Sequence, residues 1–117
     1  MWICLNNAFL SVVEDRETSN DLLIRARRQV DINVVAELLP NGDSRVEHTP
    51  KNDYQFRIRA NKAEFKLLMS IMIDNIDYGN FKNSVEDDAL KTMYGRVWGL
   101  GVENLDPEMP YRTWKMI

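Results

Sequence analysis

A chain of 117 residues, 44% hydrophobic and 28% charged, fits one domain able to bury its own core and excludes a disordered or fibrous chain. A net charge of −3 speaks against coating nucleic acid by bulk charge, although a local basic face stays open. The one cysteine, Cys4, rules out an internal disulfide and fits a reducing, cytoplasmic setting.

Residues 2–5 and 9–14 read as two β-rich runs joined by Asn6-Asn7-Ala8, a tight hairpin built on the tolerance of asparagine for positive φ. Cys4 lies in the first run and reads as a small buried hydrophobe. Residues 15–21 form a polar loop, and 22–27 a third strand. Asp31 is placed to cap a short helix over 32–39, which ends at Pro40-Asn41-Gly42-Asp43. A short strand over about 45–48 and a turn over 50–53 precede residues 54–60, whose alternation gives the clearest strand. Asn61 and Glu64 resemble a capping pair for a helix over 62–75, with Phe65, Leu68, Met69, Met72, Ile73 and Ile76 on one side. After a loop over 77–83, Ser84 and Asp87 open a last helix to about residue 100. Its expected buried stripe is Leu90, Tyr94, Val97 and Trp98, and Gly99 and Gly101 weaken its end. Strands followed by helices imply an α+β fold, a mostly antiparallel sheet of four to five strands with helices on one face. Residues 1–102 form the single domain. Residues 103–117 form an irregular tail, in which Trp114 must dock or stay exposed.

Alternate strand residues face opposite sides of a sheet. Leu22, Ile24 and Ala26 therefore share one face, and Arg25 and Arg27 the other. Tyr54, Phe56, Ile58 and Ala60 share one face, and Arg57 and Arg59 the other. If both apolar rows meet the helices, all four arginines stand on the open side. Side by side they repel, so carboxylates such as Glu14, Asp15 or Glu47, or else an anionic partner, must offset the charge. A nucleic-acid reader would interleave aromatics with these arginines, and the sequence places none there. A second candidate is the loop 77–82, where Tyr78, Asn80 and Lys82 mix a phenol, an amide and an amine. Plugging the core and satisfying backbone groups explains that loop equally well.

Other chemistry is sparse. His48 is the only histidine and reads as a surface residue, so zinc spacing is lacking. No phosphate-cradling glycine loop or nucleophile elbow occurs. Glu86-Asp87-Asp88 suits the first turn of a helix better than a metal. No cofactor is expected, and catalytic residues cannot be nominated. The longest apolar-looking stretch, 65–76, is too short and too polar to span a bilayer. The start of the chain lacks the pattern of a signal peptide, so the cytoplasm is the expected location.

Scattered residues carry a resemblance: the opening Met1-Trp2, Phe9-x-Ser11-Val12-Val13, Arg25-Ala26-Arg27, Asp53-Tyr54-x-Phe56-Arg57, Asp77-Tyr78-x-Asn80-Phe81-Lys82 and Val97-Trp98. Together they resemble a family of small uncharacterised bacterial and bacteriophage proteins. The resemblance implies a small α+β fold and brings no activity, cofactor or catalytic residue. The expectation is a binding or regulatory protein that contacts an acidic protein partner through Arg25, Arg27, Arg57 and Arg59. The alternatives are nucleic-acid binding by the same face, an enzyme using Lys82, Tyr78 and arginines on a phosphorylated or nucleotide substrate, and pairing of an edge strand with a second copy.

Overall fold

The computed structural model describes residues 1–18 and 20–108. Five strands, β1 (Trp2–Cys4), β2 (Phe9–Glu14), β3 (Asp21–Ala26), β4 (Glu47–His48) and β5 (Phe56–Asn61), form one antiparallel sheet in the order β1-β2-β3-β5-β4. Helix α1 (Gln29–Ala36), the helical turn α2 (Gly42–Arg45) and β4 lie in the connection between β3 and β5. Helix α3 (Lys62–Asp74), the turn α4 (Phe81–Ser84) and α5 (Asp88–Asn104) follow. The fold is α+β, as its strand and helix patterns imply.

Register explains the core. Val12 stands opposite Ile24, and Ile24 opposite Ile58, so one apolar row crosses the three central strands. Leu10, Ala26 and Ala60 share that face, and Ile32, Val35 and Ala36 of α1 with Phe65, Leu68 and Met72 of α3 close over it. A smaller cluster of Val85, Leu90 and Tyr94 packs α5 against Phe9 and Phe81 at the β1–β2 end. The Tyr94 hydroxyl donates to the carbonyls of Leu5 and Ala8, at 2.8 and 3.0 Å, fastening α5 to the hairpin. Burial pushes the Tyr94 phenol well above its ordinary pKa.

Several boundaries differ from the sequence-based expectation. The helix expected over 32–39 runs from Gln29 to Ala36, and Asp31 is not its cap. Asp31 is 2% exposed and serves a tertiary role instead, accepting from the Phe9 amide at 3.3 Å and the Arg28 guanidinium at 2.7 Å. Only Glu47–His48 of the expected 45–48 strand pairs, because residues 42–45 turn helically. That turn needs Gly42, where a Cβ would fall 1.7 Å from the Ala36 carbonyl oxygen. It also needs Asn41 in the left-handed region, at φ 53°. The Asn6-Asn7 turn closes through Leu5 N–H donating to Ala8, without positive φ.

The capping pair of Asn61 and Glu64 forms as a reciprocal box at the start of α3. Asp87 caps α5, accepting from the Leu90 amide at 3.0 Å, and also binds Arg28 at 3.0 Å. These bonds, the backbone one first, hold its carboxyl below the usual range. The loop expected over 77–83 already contains the first residues of α4. Helix α5 then runs through Gly99 and Gly101 to Asn104. Only the first half of its stripe is buried: Val97 and Trp98 lie in the open, Trp98 at 59% exposure. Leu90 and Tyr94 reach the body, and the later turns pass beyond it. Cys4 is exposed rather than buried, since Ile3, its neighbour, takes the core side opposite Leu10. Trp114 lies outside the described residues.

Candidate functional site

The sheet face turned away from α1 and α3 carries the arginines. Cross-strand partners share a face, so the register places Trp2, Ser11, Arg25, Arg57 and Glu47 in one row across all five strands. Val13, Leu23 and Arg59 form the adjacent row. Two segments far apart in sequence thus bring Arg25, Arg57 and Arg59 together, as alternation implies. Arg27 follows the end of β3 and joins them, its Nη1 donating to the Asp53 carbonyl at 3.4 Å.

Tyr54 departs from its expected face. It precedes β5, so strand alternation does not bind it. Its ring lies beneath two arginines, with the guanidinium carbons of Arg25 and Arg27 each 4.7 Å from its centre. Tyr54 is 6% exposed, so the cations cover it while it orients them. A tyrosine directly after the turn-forming Asp53, two positions before the regular strand begins at Phe56, was the signal available. The Asp53 carboxylate accepts the Tyr54 amide at 2.9 Å and turns the chain there.

The arginines differ sharply in their partners. Arg59 is saturated: it donates to Asp15 at 2.9 Å, to Glu17 at 3.1 Å, and to Glu47. Its pKa is raised, chiefly by the bond to Glu47. Asp15, only 3% exposed, is the buried end of this network. Arg25 and Arg57 stand opposite each other in register, and neither has a carboxylate within ion-pair distance among the described residues. Arg25 donates to Ser11 Oγ at 2.7 Å and Arg57 to the Tyr54 carbonyl at 3.2 Å. The Nε–H of each is buried without an acceptor. Glu47 faces Arg57 across the β4–β5 pair, yet its carboxylate goes diagonally to Arg59. Pairing with carboxylates, one of the two expected ways of offsetting the charge, therefore accounts for Arg59 alone. An open depression lined by Arg25, Arg57, Arg59, Leu23 and the 13–17 segment lies over these groups.

The 77–82 loop keeps apart from this face in its contacts. Asn80 caps α4, accepting from the Asn83 amide at 3.0 Å, and the Lys82 ammonium lies 4.2 Å from the Trp98 ring centre. The Tyr78 ring packs 5.9 Å from that of Phe81 and borders a cleft of about 210 Å³ lined by Leu5, Val34, Leu38, Met72 and Ile76. Among the described residues, no charged side chain lines that cleft. These contacts account for Tyr78, Asn80 and Lys82 without a ligand. His48 is exposed, stacks on Phe56 at 4.6 Å and meets Gln55 at 3.1 Å. Among the described residues there is no metal-binding cluster and no helix long and apolar enough to cross a membrane.

Trp2 is the further residue that the sequence did not bring to this site. It is 74% exposed and ends the row that contains Arg25 and Arg57, which only the register reveals. No family model, curated protein or solved structure matches this chain, so these side chains alone carry its functional assignment.

Proposed function

We propose that this protein is a non-enzymatic binding protein whose open sheet face holds an acidic surface of a protein partner. The observation that carries this is the facing pair Arg25 and Arg57, held in register without a carboxylate partner among the described residues. Like charges directly opposite on a sheet destabilise it, so a bound anion would relieve a cost the isolated chain bears. Facing residues have Cβ atoms about 5 Å apart, and two unit charges held at that separation would repel by about 1–3 kcal/mol. Arg27 adds a third cation over the same tyrosine ring, and the exposed Trp2 supplies an aromatic anchor in the same row. The charges orient and speed the encounter, and the indole holds it. If the resemblance to small bacterial and bacteriophage proteins reflects a phage origin, a bacterial host factor is the class of partner to seek.

Nucleic acid is less well matched. The aromatic among the arginines, Tyr54, is buried and cannot stack on a base. Arg59, which would extend the cationic track, is neutralised by Asp15, Glu17 and Glu47.

The test is capture from bacterial lysate with the wild-type chain and with R25E/R57E, followed by backbone NMR mapping of the purified partner onto the sheet. Loss of that partner in the double variant, with shifts centred on β3, β5 and Trp2, is expected. Equal recovery by both chains, or shifts confined to the helices, would overturn the assignment.

A further inference from the structure

We infer that Arg25 and Arg57 together receive one phosphoryl group, carried by a phosphorylated side chain of the protein partner. This rests on the open-face binding proposed above and narrows it from acidic surfaces in general to one chemical group.

Charge count comes first. Two guanidinium groups face each other with no counter-ion among the described residues. One carboxylate cancels one of them. A phosphate monoester carries about −1.5 to −2 charges near neutral pH and cancels both. Its three terminal oxygens also suit two planar forks, whereas a carboxylate matches one.

Orientation comes second. Arg25 is held by Ser11 Oγ and the Tyr54 ring, and Arg57 by the Tyr54 carbonyl. One residue, Tyr54, thus fixes both cations before any ligand arrives, so little side-chain freedom is lost on binding. The ligand need not reach the buried Nε atoms. It meets the outer edge of each guanidinium, and its charge offsets the repulsion between them.

Compactness supplies selectivity. Glu14, Asp15, Arg16 and Glu17 border the same depression, and Asp15 and Glu17 are already paired with Arg59. The positive charge left at its centre is the compact Arg25–Arg57 pair, which suits a single phosphoryl group better than an extended polyanion.

The experiment uses the full chain and a short Gly/Ser peptide with one central phosphoserine. Its comparators are the same peptide with aspartate, inorganic phosphate, and a 5′-phosphorylated oligonucleotide. Calorimetry and the arginine Nε–Hε resonances read binding. The phosphopeptide is expected to bind about tenfold or more tightly than the aspartate peptide. Binding should weaken from pH 7.5 to pH 5, as the phosphate monoester loses its second charge near about pH 6. R57Q should abolish this preference. R57K, which keeps the charge and loses the fork, should retain binding while losing most of the preference. Arg57 holds no carboxylate in place among the described residues, so both variants should fold, as circular dichroism will check.

Equal binding of the phosphoserine and aspartate peptides overturns the inference, as does a preference that survives R57Q. Tighter binding of inorganic phosphate overturns the assignment to a side chain, and tighter binding of the oligonucleotide overturns the assignment to a protein. A partner captured through R25/R57 while the two peptides bind alike would defeat the phosphoryl group only, leaving the acidic-face proposal standing.

Discussion

Arg57 and Arg59 lie two residues apart on β5 and project from the same face, yet their electrostatic situations are opposite. Arg59 gathers three carboxylates from two separate segments, Asp15 and Glu17 of the β2–β3 loop and Glu47 of edge strand β4. Arg57 meets another arginine across the strand and keeps no acid among the described residues. Arg59 therefore acts as a structural clasp, and the Arg25–Arg57 pair stays available for binding. Identical side chains acquire different roles from what the register sets opposite them. Chain connectivity matters as much, because the β2–β3 loop carries its acids toward Arg59 and not toward Arg57.

Substitutions can break this contrast, beginning with the residue beneath the pair. Tyr54→Ala removes a buried ring and the platform of two guanidinium groups, and should lower stability by about 3–4 kcal/mol in urea unfolding. Arg59→Met strands the buried Asp15 carboxylate together with Glu17 and Glu47. With the partly exposed network discounted for solvent, the expected cost is about 2 kcal/mol. Arg57→Met, two residues away, should change stability by no more than about 0.5–1 kcal/mol and can raise it, since it relieves a like-charge pair. A loss from Arg57→Met as large as that from Arg59→Met would erase the distinction between clasp and binding pair.

Two pH experiments sharpen it from outside the face. The Tyr94 phenol has a raised pKa in the folded chain, so its contribution is complete below the ordinary tyrosine value. That contribution is lost as pH climbs above about 10. Tyr94→Phe should remove that alkaline limb while costing about 1–3 kcal/mol through two unpaired carbonyls. On the acid side, Arg45 and then burial and Asn61 act on Glu64, with a net lowering of its pKa. A depressed carboxyl stabilises above its unfolded value, and the benefit falls away as pH drops below about 4. Melting temperature followed from pH 6 to pH 2 should therefore fall less steeply in Arg45→Met than in the wild type. This is the smallest of the expected effects, and an unchanged slope would show that this half-buried pair contributes nothing measurable.

Much of the fold was legible in the residues. The alternation at 22–27 and 54–60 located the two central strands, and with them the shared side of Arg25, Arg57 and Arg59. Asn61 and Glu64 announced α3 by a local capping mechanism that needs no tertiary partner. Where local pattern failed, a distant group had intervened. Asp31 looked like a cap and instead binds the Phe9 amide and Arg28. Tyr54 looked like a core residue and instead underlies the arginines, because the chain turns at Asp53 before the strand begins. Trp98 kept the period of a buried stripe although the body of the protein ends before it.

Sequence by itself determined the kinds of element and the side of the sheet on which the guanidinium groups stand, because periodicity is a property of each segment alone. Tertiary structure alone decided which of those groups is neutralised. Counter-ions come from Asp15, Glu17 and Glu47, residues whose distance from Arg59 depends on strand order, register and loop path. Electrostatic attraction acts through space and not along the chain, so no local pattern could distinguish Arg57 from Arg59.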